Sequence, residues 1–390
     1  MNEEVLNSAR AEDRIRVTYI LTCTAGEDAE AKARDIALEQ TVELPAECVA
    51  ADIERRIVGT VEHLEAVDRA KWRAVISFDQ VTVGDDLPQL LNLLFGNVSL
   101  KTGILVTNLE LPEPMLARFP GPRFGIDGVR GLVADGDTEV RRPLICVAAK
   151  PLGLPALELA DICFHLARAG VDIIKDDHGL ANQETAPFRE RVERCQEAVT
   201  RANALTGGTS RYMPNVTGRL DELDSRLELV RAVGCRGVLV SPLLMGLDTV
   251  RRLAQRSNLV ILSHPSLAGA FFQAQHGIAP ELLLGKIFRL IGSDGVIYPN
   301  VGGRFPWGPE VCEAVNRNLR APLGSIRASF PVPAGGIDAA RVPYWIEQYG
   351  LDTVFLIGSS LYQQPDLEQA ARRLVEAVRR HGDERHIQGD

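Results

Sequence analysis

From Pro143 to the C-terminus, apolar strand-like runs alternate about eight times with amphipathic helices, and no other feature narrows the fold as much. The runs are Leu144 to Lys150, Val171 to Asp177, Arg211 to Val216, Gly237 to Ser241, Leu259 to Ser263, Gly295 to Asn300, Ser329 to Ala334 and Thr353 to Gly358. Helical segments such as Ala156 to Ala169, Phe188 to Ala204, Glu281 to Ile291 and Leu367 to Arg380 fall between them. Eight strand-helix units over about 250 residues predict a closed (β/α)8 TIM barrel, whose active site lies at the C-terminal ends of the strands. An open doubly wound sheet is the competing arrangement, but no G-x-G-x-x-G follows the first run.

The residues at those strand ends converge on one chemistry. Gly170 to Gly179 is an apolar run that closes in Lys175, Asp176, Asp177 and His178. Side chains alternate along a strand, so Lys175 and Asp177 share a face. Such a cluster suits a hard cation held among charged groups, and by itself it equally fits a salt-bridged strand end capping the next helix. Lys150 ends the first strand, Asn215 the third and His264 the fifth, and Arg304 follows the sixth. The seventh strand runs into Gly335-Gly336 and the eighth into Gly358-Ser359. Small residues there let backbone N–H groups approach a phosphate, although each pair also fits a tight turn.

Residues 14 to about 137 have a different rhythm. Strands are expected at Arg16 to Thr22, Lys71 to Phe78 and Ile104 to Leu109, and helices at Glu27 to Leu38 and Leu87 to Phe95. This gives an α+β domain over 1–137, ahead of a barrel over 138–390, with the glycine- and proline-rich segment Phe119 to Asp137 as linker. Net charge is −9 without long blocks of one sign, which disfavours nucleic acid or an anionic membrane as partner. Seven scattered cysteines without C-x-x-C spacing read as reduced core residues of a cytoplasmic protein. The polar start, Met1 to Arg14, lacks an apolar leader, and no run is long enough to span a membrane.

Lys150-Pro151, Gly170 to Asp177, Pro214 to Gly218, Ser263-His264-Pro265, Gly335-Gly336 and Gly358 together resemble the large subunit of ribulose-bisphosphate carboxylase. The resemblance is closer to its non-carboxylating relatives, the RuBisCO-like proteins of form IV, and it covers nearly the whole chain. In the first domain it includes Glu39, within Leu38 to Val42, and Asn97, within Phe95 to Val98. It implies an N-terminal domain of ferredoxin-like type. It also implies that Lys175 is carbamylated by CO2 and, with Asp177 and His178, holds a divalent metal, unless His178 turns away from the metal to act on the substrate. Mg2+ is the family's ion, and histidine in the third position favours Mn2+ or Zn2+. Lys150 matches the family's proton-abstracting lysine, and His264, Arg304, Glu39 and Asn97 match further catalytic positions. Asn215 falls to substrate binding, and Gly335, Gly336, Gly358 and Ser359 to the phosphate. Family dimers bring Glu39 and Asn97 to a partner's barrel mouth, so a homodimer, or a higher oligomer of dimers, is expected.

Departures from the carboxylase pattern narrow the reaction. The carboxylase arginine for a second phosphate is Pro265 here, and its strand-six histidine is Ile297. The second lysine of the strand-one motif is Leu152, and the loop lysine that covers CO2 aligns on Arg304. A substrate with one phosphate follows. The expected activity is metal-assisted enolisation of a phosphorylated ketose without carboxylation, most concretely isomerisation of 5-methylthioribulose 1-phosphate. The diketo-methylthiopentyl phosphate enolases differ by a lysine where this chain has Asn97. The alternative is C–C cleavage of the 3-oxo-isoapionate 4-phosphate transcarboxylase/hydrolase type, in which Arg304 would hold the substrate carboxylate.

Overall fold

The structure, a computed structural model, describes residues 13–134 and 140–388. The residues up to 12 and the domain boundary expected at 137 lie outside the described residues. The first four strands are β1 (Arg14–Thr22), β2 (Thr60–Ala66), β3 (Lys71–Asp79) and β4 (Ile104–Glu110). Next come β5 (Leu144–Ala149), β6 (Ile173–Asp176), β7 (Arg211–Met213), β8 (Gly237–Val240) and β9 (Val260–Ser263). The short β10 (Phe272–Gln273) and β11 (His276–Ile278) precede β12 (Gly295–Pro299), β13 (Phe330–Ala334) and β14 (Val354–Ile357).

The chain divides into two compact units. One runs to Phe119 and also takes Leu267–Leu283 and Leu323–Ile326, and the remainder from Pro120 forms the other. The first is an α+β unit of ferredoxin-like type around a six-stranded sheet in the order β10-β11-β4-β1-β3-β2. In β1, Ile15, Val17, Tyr19 and Leu21 alternate into the core, and the Tyr19 hydroxyl donates to the Leu94 carbonyl in helix Leu87–Phe95 at 3.1 Å. The strand β2 and helix Ala51–Ile57, absent from the sequence reading, bury no residue, so the hydrophobic period that announces an element is missing there. His276-Gly277 lies in β11, parallel to β4.

The second unit is the expected (β/α)8 barrel. Its parallel strands run β7-β6-β5-β14-β13-β12-β9-β8. Closure comes at Asn215, which bridges Leu239, with Val216 N donating to Leu239 O at 3.0 Å and Leu239 N to Pro214 O at 2.9 Å. Inward side chains, among them Cys146, Ile173, Met213, Leu239, Leu262 and Val332, fill the interior in layers.

Phe119 to Asp137 is not the irregular linker expected. Helix Gly125–Val133 forms within it and inserts Val129 and Val133 into the barrel core. Its glycines hid the apolar spacing of Ile126, Val129 and Val133. Asp294, buried just ahead of β12, holds the start of this helix by accepting from the backbone N–H groups of Phe124 (2.8 Å) and Gly125 (2.9 Å). The charged C-terminal segment beyond Arg380 continues helix Leu367–Gln388. Five cysteines are buried, Cys23 is half-buried and Cys48 exposed, all unpaired as thiols. Among the described residues no helix is long and apolar enough to cross a membrane.

Candidate active site

Cys146 on β5 and Ile173 on β6 face the barrel interior, and the two-residue period carries that face upward to Lys150 and to Lys175 and Asp177. Lys150 Nζ and Asp177 Oδ2 form an ion pair at 2.8 Å, and His178 Nδ1 lies 2.8 Å from Asp177 Oδ1. Burial would raise the Asp177 pKa, but hydrogen bonds from His178 and Lys150 and the charges of both lysines outweigh it. The carboxyl is held well below the usual range. Lys175 is 2% exposed and donates to the Asp176 carbonyl at 3.1 Å. Burial, reinforced by the Lys150 charge, pushes its pKa down against the pull of nearby acids. Tyr362, which sequence reasoning missed for want of any local motif, accepts from Lys150 N at 3.2 Å and donates to Ala148 O at 2.8 Å.

The His178 and His264 rings stack at 4.2 Å with 4° between their planes. Burial, with the Lys175 charge second, drives the His264 pKa down to about 2, so its ring is neutral. Its Nδ1 lies 2.8 Å from Ser266 Oγ.

Asn215 differs from its expected substrate role. It is fully buried, and its amide donates to the carbonyls of His178 (3.0 Å) and Leu180 (2.8 Å), while Oδ1 accepts from Thr217 N. Its backbone N–H meets Asp176 Oδ2 at 2.9 Å. Asp176 points away from the interior and also accepts from Tyr212 (2.6 Å) and Arg191 (3.1 Å). Arg191 donates further to the carbonyls of Ala181 and Ala186. Asp176, Arg191 and Asn215 therefore fix the end of β6 and the loop that carries His178.

At the ends of β13 and β14 the chemistry is that of the backbone. Gly335 and Gly336 have φ of +93° and +66°, and a Cβ on Gly336 would lie 3.1 Å from the Val301 carbonyl. Among the described residues no protein acceptor takes the N–H groups of Gly336, Gly358 and Ser359. Arg304 is exposed on the segment after β12.

In the α+β unit, Asn97 Nδ2 donates to Glu39 Oε1 at 3.1 Å. Lys101, four residues beyond Asn97 and missed in the sequence, joins Glu39 Oε2 at 2.9 Å and Asp35 at 2.6 Å. Hydrogen bonds from Lys101 and then Asn97 hold the Glu39 pKa below its ordinary value.

A model of the ribulose bisphosphate carboxylase large chain, catalytic domain, matches residues 137–380. The chain belongs to the RuBisCO large-chain family. The resemblance read from the strand-end motifs is borne out, and the relatives place the chain among the RuBisCO-like proteins. A 5-methylthioribulose-1-phosphate isomerase of Rhodospirillum rubrum is 40% identical over 356 residues, 91% of this chain and 93% of that protein. A 2,3-diketo-5-methylthiopentyl-1-phosphate enolase of Geobacillus thermodenitrificans is 33% identical over 310 residues, 77% of this chain and 74% of the relative. The crystal structure of a Rubisco-like protein from Rhodopseudomonas palustris superposes with a TM-score of 0.85 at 38% identity, covering 95% of this chain and 99% of that one.

For a RuBisCO-like site the donor set decides whether a divalent metal fits. Among the described residues no group of three or more His, Cys, Asp or Glu side chains is placed to hold one. Asp177 supplies an anionic oxygen and His178 a nitrogen. A third donor is at hand if the buried Lys175 amine, held toward its neutral and nucleophilic form, takes up CO2 as a carbamate. With that group in place the set fits a divalent ion.

Proposed function

We propose that this RuBisCO-like chain catalyses metal-assisted proton abstraction from a monophosphorylated ketose, in the manner of a 5-methylthioribulose-1-phosphate isomerase, and does not carboxylate ribulose bisphosphate. The observation that carries this reading is the barrel-mouth cluster in which Lys150 pairs with Asp177 beside the buried Lys175. The relative named as that isomerase, matched over nine-tenths of the chain, supports it.

Lys175 as a carbamate, with Asp177 and His178, would hold the divalent ion, Mg2+ in the first instance. When bound, such an ion supplies a Lewis acid that polarises the substrate carbonyl. In its neutral form Lys150 Nζ, partly exposed at the mouth, takes the proton from the adjacent C–H and becomes the ammonium that pairs with Asp177. Tyr362 fixes the backbone from which that amine projects. The stacked, neutral His264 keeps the His178 ring in one orientation.

The N–H groups of Gly336, Gly358 and Ser359 take the single phosphate. At the positions that serve a second phosphate in the carboxylase, Ile297 is buried in the barrel core and Pro265 brings no charge. An uncharged far end of the substrate suits both. Assembly as a homodimer belongs to the same reading, and light scattering on the purified chain tests it.

Incubation with 5-methylthioribulose 1-phosphate, bicarbonate and Mg2+ in deuterated water, followed by NMR, tests the reaction. The expected result is one isomeric product carrying solvent deuterium. Two fragments from 3-oxo-isoapionate 4-phosphate, with no change in the methylthio sugar, would replace isomerisation by C–C cleavage.

A further inference from the structure

The two glycines after β13 are held by side chains from outside their own loop. Asn300, fully buried at the end of β12, donates from Nδ2 to the Gly335 carbonyl at 3.0 Å, and its backbone N–H reaches the Ala334 carbonyl at 3.1 Å. Its Oδ1 accepts from the Tyr349 hydroxyl at 2.6 Å, which fixes which way the amide faces. The Gly336 carbonyl accepts from Arg341 at 3.0 Å and from the Trp345 indole at 3.3 Å. Tyr349 and Trp345 lie in helix Val342–Tyr349, with rings stacked at 5.3 Å and 9°, and the Arg341 guanidinium sits 4.8 Å above the Trp345 ring.

A trans peptide is planar, and its C=O and N–H point in opposite directions. Fixing the Gly335 oxygen therefore aims the Gly336 N–H, and fixing the Gly336 oxygen aims the N–H of Ile337. Glycine by itself leaves both peptides free to rotate, and at φ of +93° and +66° no side chain of the loop can restrain them. We propose that Asn300, locked by Tyr349, and the Arg341–Trp345 pair are positioning residues that aim consecutive backbone amides at a phosphate monoester. Asn300 also starts the segment 301–304, whose Val301 and Gly302 pack against Gly336, with the Gly302 carbonyl carbon 3.2 Å from where a Cβ on Gly336 would stand. The loop bearing Arg304 and the phosphate subsite thus share one anchor.

This inference rests on the phosphate reading, and one experiment separates the two. Inorganic phosphate is titrated by calorimetry into the full-length wild type, Asn300→Ala and Tyr349→Phe. Tyr349→Phe removes only the hydroxyl and keeps the ring stack, so it decides the matter where Asn300→Ala does not fold. The expected result is saturable binding to the wild type, weakened about tenfold in Asn300→Ala and about threefold in Tyr349→Phe. With 5-methylthioribulose 1-phosphate the loss falls on KM more than on kcat, a split that general loosening of the fold does not produce. Wild-type affinity in both variants overturns the positioning role and leaves the phosphate reading standing. Absence of binding to the wild type removes the phosphate reading and the inference together.

Discussion

Two aspartates, half-buried Asp177 and fully buried Asp294, mark the two ends of the barrel and have been pushed in opposite directions. At the mouth, Asp177 is flanked by Lys150, Lys175 and His178, and those partners hold its pKa well below the ordinary carboxylate value against the effect of burial. At the floor, Asp294 meets the backbone N–H groups of Ile261, Gly125 and Phe124, with Arg327 as the nearby cation. Burial prevails there and raises its pKa to about 6. The same side chain is a fixed anion between two lysines and a histidine at one end, and a structural acceptor where a helix must be seated at the other. The end of the barrel that a (β/α)8 enzyme uses for catalysis holds the lysine–aspartate cluster, and at the opposite end Asp294 and the Arg142–Asp172 pair serve stability.

The largest effect that can break this contrast is on turnover. Lys150→Ala is expected to lose about 10²–10⁴-fold in kcat, measured with 5-methylthioribulose 1-phosphate, and to keep its fold. Near-normal kcat would remove the base from the mouth.

The floor is tested by pH. Because the folded pKa of Asp294 lies above its ordinary 3.8, the stability it contributes is full below pH 3.8 and is lost as pH rises through about 6. Asp177, with its folded value depressed, contributes in the opposite sense, and its part is lost as pH falls below the unfolded value. Urea unfolding of wild type and Asp294→Asn should diverge across pH 4 to 6, with the wild type losing ~3 kcal/mol relative to the variant. Parallel profiles would mean that Asp294 is an ordinary surface-like acid.

Gly336→Ala sharpens the comparison from the backbone side. A left-handed φ of +66° and a Cβ 3.1 Å from the Val301 carbonyl should cost ~1–2 kcal/mol of unfolding free energy measured in urea, together with a loss of phosphate affinity. The smallest effect is expected for Tyr362→Phe, which gives up contacts with Ala148 and Lys150 and should cost ~1 kcal/mol with a modest fall in kcat. An unaltered variant would free Lys150 from that support.

Much of the mouth was legible in the chain because side chains carry it. The alternation of β6 put Lys175 and Asp177 on one face, and the strand repeat gave the barrel. Other features escaped for physical reasons. Helix Gly125–Val133 was masked by glycine, and β2 buries nothing that could set a period. Asn215 looked like a ligand residue because a polar side chain at a strand end reads alike whether it faces substrate or its own loop. Asn300, Tyr349 and Lys101 act through contacts that only the folded chain brings together.

The most direct test of the metal-and-carbamate account is a Mn2+ titration, followed by electron paramagnetic resonance, of wild type, Lys175→Ala and Lys150→Ala with and without bicarbonate. The expected result is bicarbonate-dependent binding in the wild type, its retention in Lys150→Ala and its loss in Lys175→Ala. Equal Mn2+ affinity in Lys175→Ala, or binding indifferent to bicarbonate, would contradict the account.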